Sequence, residues 1–174
     1  RCLLRDDAEA EPMVGACAFA SAALASRSGK YRDAGLLVLC VPNAIMTWVE
    51  TLKAHGVRGV ESARGAAKAE EAFERVLSGE ACACVVSHDS YRSVVRQAML
   101  VPWLMCFYDE VHRLKGEKTK AHEAAQMLPK QVFRVGLSDQ LFSNCDALDL
   151  WAVMNWVVPW RLGDRRLYEK YFVK

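Results

Sequence analysis

The sequence predicts an α/β fold in which a doubly wound, mainly parallel sheet is flanked by helices. Short apolar runs alternate with stretches of helical composition along the chain, and such runs are typical of strands buried on both faces, as parallel strands are. The 174 residues suffice for one hydrophobic core, and the alternation is too closely spaced for two. We therefore expect a single domain over residues 1–174.

The strands of this sheet are predicted from apolar runs that are flanked on both sides by turn-forming residues. The predicted strands cover residues 2–4, 36–41, 57–60, 81–87, 103–108 and 132–137.

The helices of the first half are predicted from composition and spacing. Pro12 suits the first position of a helix over residues 13–25, because its missing N–H would have no partner there. Asn43 is expected to cap a second helix that Gly56 closes. A third helix covers residues 66–77. The apolar residues of the second helix recur at helical spacing and are Ile45, Trp48, Val49 and Leu52.

The helices of the second half are predicted over residues 90–99 and 119–128, followed by two more, of which the last is short. Asp146 is expected to cap the first of these, and Pro159 to stop it. Tyr168 and Phe172 share a face of the last helix. The face predicted for the helix after Asp146 consists of Leu148, Trp151, Ala152 and Asn155.

The composition limits the possible functions. A net charge of +2 produces no overall field that would attract nucleic acid, so a contact with nucleic acid would have to be local.

The seven cysteines form no CxxC pair and the four histidines lack zinc-binding spacing. Cys82 and Cys84 are interpreted as core residues. An odd cysteine count without a disulfide pattern indicates a reducing, intracellular compartment. No apolar run is long enough for a bilayer. The first residue is Arg1 rather than methionine, from which we expect either a piece of a longer protein or a processed one.

An acidic pair, Asp109-Glu110, directly follows the predicted strand at residues 103–108. Open α/β folds place ligands at the carboxyl ends of their strands. In nucleotide hydrolases, the first carboxylate of such a pair holds Mg²⁺ and the second orients the attacking water. The alternative is a helix cap or the solvated start of a loop.

The residues around this pair carry a resemblance to a known family. Asp109-Glu110-Val111-His112, followed by Arg113 and Lys115, resembles motif II of the superfamily-two helicase-like ATPases. In the same order, residues 36–48, 85–92 and 136–144 are similar to motifs Ia, Ib and III, and residues 150–159 to the Leu-Trp helix that ends in proline. Nearly the whole chain is similar to the first RecA-like lobe of SWI/SNF-related DNA translocases, in their excision-repair (Cockayne-syndrome-B-related) branch. The resemblance implies a RecA-like fold, catalytic positions at Asp109, Glu110 and His112, and a nuclear location.

The phosphate-binding loop departs from the family pattern. In an alignment with the family motif Met-Gly-Leu-Gly-Lys-Thr, Glu9 and Glu11 occupy the two glycine positions. Pro12 occupies the lysine position and Met13 the threonine position. Losing two or three charge-assisted hydrogen bonds would weaken nucleotide binding about a thousandfold. We expect no cofactor, with a carboxylate of Glu9 or Glu11 capping the helix where phosphate would sit, and at most weak Mg²⁺ binding at Asp109.

Motif III also differs, because Leu137-Ser138-Asp139-Gln140 stands where the family has Leu-Thr-Gly-Thr. The family's motifs Ia and Ib contact the DNA backbone, which implies phosphate contacts without sequence reading. For Asn43 and Ser90, helix capping is the alternative. The matching positions here are Asn43, Thr47, Ser87, His88, Ser90 and Arg92.

These observations leave three functions open. The first is a degenerate, non-hydrolysing lobe that binds protein or duplex DNA within a larger assembly. The second is the ATP-binding lobe of a working DNA translocase with ATP and Mg²⁺, which would need an arginine finger from a second lobe. The third is a plain α/β binding domain whose acidic pair is a structural cap.

Overall fold

The computed structural model describes residues 2–5, 12–140 and 146–173. Within them, six strands form one sheet in the order β1-β6-β5-β2-β4-β3, and every neighbouring pair is parallel. This confirms the predicted α/β class. The strands are β1 (Cys2–Arg5), β2 (Gly35–Cys40), β3 (Val60–Ala63), β4 (Ala83–Ser87), β5 (Trp103–Tyr108) and β6 (Phe133–Ser138).

Helices connect the strands and cover both faces of the sheet. Short 3-10 turns lie at Gly29–Tyr31 and at Val111–Leu114. The helices are α1 (Pro12–Ala25), α2 (Ile45–Ala54), α3 (Ala66–Leu77), α4 (His88–Ser93), α5 (Val95–Ala98), α6 (Lys120–Gln126), α7 (Ala147–Val157) and α8 (Arg165–Phe172).

Among the described residues, the core consists of two apolar clusters, one on each face of the sheet. Strand β2 is buried along its whole length, and it contributes Leu37 and Leu39 to one cluster and Leu36, Val38 and Cys40 to the other. Helices α3 to α7 cover the first cluster, and α1 and α2 cover the second. Burial on both faces explains why this strand is a continuous apolar run.

Several predicted boundaries are confirmed. Helix α3 has the predicted limits, and α1 begins at Pro12. The carboxylate of Asp146 accepts from the amide of Asp149, so it caps α7. The apolar residues predicted for α2 are the ones that are buried. Local signals of capping and periodicity were sufficient at these positions.

Two predicted elements are displaced. The strand predicted at residues 57–60 begins only at Val60, because Gly59 adopts a positive φ of 58° and bends the chain just before it. The helix predicted over residues 90–99 begins earlier, at His88, and is broken at Val94, whose φ and ψ are −123° and 25°.

The predicted cap of α2 is wrong. Ala44 is the residue that precedes this helix, and no side chain caps it. The turn before α2 continues through Asn43, which places that residue too early to reach the helix amides. Asn43 is therefore a solvent-exposed turn residue.

The predicted face of α7 is only partly correct. Trp151 and Ala152 are buried, but Leu148 and Asn155 are half-buried, and Trp156 is fully buried in their place. The side-chain carbonyl of Asn155 accepts from the amide of Trp160 in the turn beyond the helix. In α8, the rings of Tyr168 and Phe172 lie 4.9 Å apart, as expected for residues on one face.

Candidate functional site

Loops from several strands meet at the carboxyl edge of the sheet. Strand β5 lies between β6 and β2, so Asp109 after β5 has the end of β6 on one side and that of β2 on the other. Ser138 ends β6, and Ser87 ends β4 next to β2. This edge brings together the acidic pair and the polar residues that the sequence places in separate motifs.

The carboxylate of Asp109 is held by donors from two elements. The indole Nε1 of Trp48 in α2 donates to Oδ2 at 2.9 Å, and the amide of Glu110 donates to Oδ1 at 3.0 Å. The amide of Asp109 itself donates to the carbonyl of Leu39. The helical spacing predicted Trp48 as one of the apolar residues of α2, but it did not predict that its N–H would orient the acidic pair.

The residue after this aspartate has a left-handed backbone. Glu110 has φ 55° and ψ 47°, a conformation that costs a non-glycine residue about 1 kcal/mol or more. It turns the chain so that Oε2 of Glu110 lies 3.2 Å from Nδ1 of His112. The same nitrogen is hydrogen-bonded to Oγ of Ser138 at 2.9 Å, which connects the motif II and motif III positions.

Electrostatics favour a neutral His112. Partial burial is the largest cause that lowers its pKa, and the charges of Lys115 and Arg113 lower it further, whereas Asp139 and Asp109 act in the opposite direction. The imidazole therefore retains a lone pair at neutral pH.

A third carboxylate joins Glu110 and His112. One ligand atom from each of Glu110, His112 and Asp139 lies within 4.8 Å of the other two. Sequence reasoning noted the residue change at Asp139 but did not connect it with motif II. The spatial relation depends on the pairing of β5 with β6, which no local signal reveals.

The predicted nucleotide positions are only partly described. Glu9 and Glu11 lie outside the described residues, so the expected self-capping is untested. Pro12 and Met13 form the first turn of α1, where Met13 packs against the core cluster beneath the helix. The sulfur of Met13 lies 3.9 Å from Oγ1 of Thr51.

The six predicted nucleic-acid positions separate into two groups. Ser87 and Ser90 are buried, and their hydroxyls are 2.7 Å apart. Ser87 caps α4 by accepting from the amide of Ser90, so the predicted capping role of Ser90 is wrong. The hydroxyl of Ser90 instead accepts from the amide of Gly65. Both hydroxyls therefore hold adjoining loops together.

His88 is also engaged within the fold. Its ring stacks on Tyr108 with centroids 4.6 Å apart, and Nε2 donates to the carbonyl of Asp109 at 3.0 Å. Burial lowers the pKa of His88 to about 4. It is a neutral ring at physiological pH and brings no positive charge to a phosphate.

The remaining three positions are exposed and face solvent, together with one residue that was not predicted. Asn43, Thr47 and Arg92 are exposed, and Arg92 forms an ion pair with Asp89 at 3.2 Å. The guanidinium of Arg64, directly after β3, donates to the carbonyl of Pro42 at 3.1 Å. Its position after a strand was the available signal, but only the sheet order places it beside the turn that contains Asn43.

Over residues 2–5, 12–140 and 146–173, every helix falls short of the combined length and apolarity that a bilayer crossing requires.

No family model matches this chain, but curated proteins do. It is 26% identical over 136 residues to the Mus musculus DNA excision repair protein ERCC-6-like 2, covering 78% of this chain and 9% of that protein. It is 29% identical over 120 residues to the Homo sapiens SWI/SNF-related matrix-associated actin-dependent regulator of chromatin subfamily A member 1. This match covers 67% of this chain and 11% of that protein. The chain spans less than a fifth of the length of such relatives.

Solved structures share its fold. The Sulfolobus solfataricus SWI2/SNF2 ATPase core in complex with dsDNA superposes with a TM-score of 0.75 at 19% identity, covering 97% of this chain and 33% of that one. The UvsW helicase from Bacteriophage T4 superposes with a TM-score of 0.62 at 17% identity, covering 88% of this chain and 52% of that one. The RecA-like architecture expected from the sequence is confirmed.

Proposed function

Because its relatives by sequence are SWI/SNF-family proteins and its fold is that of the SWI2/SNF2 ATPase core, we propose that this chain is a helicase-like lobe without a working nucleotide site. It acts as a binding module within a larger chromatin or DNA-repair assembly. In this role the lobe provides a binding surface within the assembly and does not hydrolyse ATP.

The start of α1 is the observation that carries this proposal. A working phosphate loop presents inward-facing amides, a lysine and a hydroxyl at the beginning of this helix. Here the helix begins with Pro12, which has no amide hydrogen, and Met13, whose side chain is turned to the core. The residues present do not fit a Mg-nucleotide, because neither supplies a charge or a ligand atom for magnesium.

The acidic pair supports the same proposal. Both oxygens of Asp109 accept hydrogen bonds from within the chain. Magnesium is held weakly by carboxylates alone when no phosphate shares its coordination. On this proposal, Asp109, Glu110 and His112 are retained for their part in the fold and not for hydrolysis.

Titration with Mg-ATP in a calorimeter tests this proposal. We expect a dissociation constant above about 1 mM, some thousandfold weaker than a micromolar site. The matched control carries Glu9→Gly, Glu11→Gly, Pro12→Lys and Met13→Thr together, and it should bind Mg-ATP more tightly than the native chain. Micromolar binding by the native chain would contradict the proposal.

One observation favours the alternative, a working ATP-binding lobe. The hydrogen bond between His112 and Ser138 joins the motif II and motif III positions, which a lobe that couples nucleotide to its partner would need. This alternative also requires a second lobe with an arginine-bearing motif. Two results together would establish this alternative. The native chain would bind Mg-ATP with micromolar affinity, and Glu110→Gln would keep this binding but abolish DNA-stimulated ATP hydrolysis by the parent chain.

Duplex DNA is the nucleic-acid partner that we propose. The similar SWI2/SNF2 core was solved with dsDNA, and the carboxyl edge of this sheet presents Asn43, Thr47, Arg64 and Arg92 to solvent. Polar and cationic side chains of this kind contact phosphates without reading bases. Ser87, Ser90 and His88 support this surface from beneath.

Fluorescence anisotropy with a short DNA duplex at several salt concentrations tests this surface. The double variant Arg64→Gln/Arg92→Gln should reduce the slope of log affinity against log salt by about 2, since each lost phosphate contact removes about 0.9. The control is Arg58→Gln, at the amino end of β3 and hence at the opposite edge of the sheet. Mg-ATP should leave the binding unchanged. An unaltered slope in the double variant would contradict the assignment.

Protein contacts and a nuclear location are further parts of this proposal. The relatives include chromatin and DNA-repair factors, and the end of the chain exposes large apolar side chains that would be covered in an assembly. These are Trp160, Leu167, Tyr171 and Phe172.

A further inference from the structure

We infer that Glu110, His112 and Asp139 form a binding site for a divalent transition-metal ion such as Zn²⁺. The three residues come from two loops, one after β5 and one after β6. The site differs from the magnesium position of a nucleotide, which would involve Asp109 and phosphates. It therefore does not depend on whether ATP binds.

The geometry brings three ligand atoms around one point. They lie within 4.8 Å of one another, and Oε2 of Glu110 is already 3.2 Å from Nδ1 of His112. Ligand atoms in a tetrahedral zinc site are about 3.3 Å apart, so no pair needs to close by more than about 1.5 Å. Rotation of the Asp139 side chain about its χ angles can supply this movement, because the residue is exposed.

The ligand types select the class of metal. Imidazole nitrogen with carboxylate oxygens suits zinc, whereas magnesium and calcium prefer oxygen ligands alone. Three protein ligands leave a fourth position for water, and the side chains of His112 and Glu110 retain 24% and 34% of their exposure, so the site is open to solvent.

The charges of the surroundings limit the affinity. The carboxylates of Glu110 and Asp139 balance the charge of a divalent ion, and Asp109 adds to the negative potential. The positive charges of Lys115 and Arg113 act on the same cluster and reduce its negative potential. The ammonium of Lys115 lies 3.5 Å from the carbonyl of Gln140, the residue after Asp139. We therefore expect a micromolar site rather than a nanomolar one.

A bound ion would connect the two loops. It would fix Glu110 and His112 against the end of β6, and coordination through Nδ1 of His112 would replace the hydrogen bond of that nitrogen with Ser138. It would also withdraw the carboxylate of Glu110 from any role in orienting water. The site would thus stabilise the folded lobe by mass action while keeping its acidic pair inactive.

Calorimetric titration of the chain with zinc chloride, with its cysteines kept reduced, tests this inference. We expect one equivalent of Zn²⁺ to bind and each of Asp139→Asn and His112→Gln to weaken binding by about tenfold or more. Asp33→Asn, the same change at an exposed position remote from the site, should bind like the native chain. Millimolar Mg²⁺ should not compete. The visible spectrum with Co²⁺ should show an N/O ligand set without the charge-transfer band of a cobalt–thiolate bond.

Absence of zinc binding would overturn the inference, and so would binding that both variants retain or a thiolate band with Co²⁺. If His112→Gln disturbs the fold by removing the contact with Ser138, Asp139→Asn decides, since its exposed side chain changes little in size. These results are independent of the Mg-ATP titration, so the inference and the proposed function can fail separately.

Discussion

Replacement of Trp156 by alanine is expected to lower the free energy of unfolding by about 4 kcal/mol. This side chain in α7 is fully buried. Its ring meets the ring of Tyr108 edge-on at 5.3 Å and lies beneath the guanidinium of Arg134 at 5.5 Å. Its Nε1 donates to the carbonyl of Ala125 at 3.0 Å. The change would remove these contacts and leave a cavity between α7, α6 and the sheet. Urea denaturation followed by circular dichroism measures the effect.

The matched control for this prediction is Trp160→Ala. Trp160 stands four residues along the chain but is 70% exposed, so its replacement should change the free energy of unfolding by no more than about 0.5 kcal/mol. Equal losses for the two variants would show that the packing described for Trp156 is not what stabilises this region.

Replacement of Trp48 by phenylalanine should cost about 2–3 kcal/mol, because a charge-assisted hydrogen bond and part of the ring volume are lost. Trp48 is fully buried, and its Nε1 donates to Oδ2 of Asp109 at 2.9 Å. Phenylalanine preserves the packing against Phe107, whose ring lies 6.0 Å away. The variant would leave one oxygen of a partly buried carboxylate without its indole donor.

A double-mutant cycle with Asp109→Asn isolates this hydrogen bond. We expect the two changes to be coupled by about 1 kcal/mol or more, as for residues in direct contact. The control cycle pairs Asp109→Asn with Trp103→Phe. The Trp103 indole is also buried but donates to the carbonyl of Ala98 at the other end of β5, so its coupling should be below about 0.5 kcal/mol. A Trp48 coupling of the same small size would contradict the assignment.

Most of the fold could be predicted because the signals are local. Parallel strands buried on both faces are continuous apolar runs, so β2, which is fully buried, and β5, which is buried except at Leu104, could be predicted without knowledge of their neighbours. The limits of helix α3 were predicted correctly, because its amphipathic pattern ends at a Ser78-Gly79 pair that is typical of a helix end. The boundaries that differed, at Asn43 and Ser90, depended on which of several polar residues near a helix start reaches its amides.

The candidate site was less predictable, because its contacts join distant segments. The acidic pair was recognised from a short motif, but the donor to Asp109 comes from Trp48, sixty-one residues away in sequence. Asp139 and Arg64 gained their significance only when β6 and β3 took their places in the sheet. Ser87 and Ser90, expected to face a phosphate, are used to join two loops.

The sequence by itself determined the α/β class, the positions of most elements and the motif at Asp109-Glu110, since apolar periodicity and short motifs act within a few residues. Only the tertiary structure decided the left-handed turn at Glu110 and the approach of His112 to Ser138 and Asp139. Strand pairing sets these relations, because the free energy that orders β5 beside β6 comes from burying side chains of both, and no single segment encodes that burial.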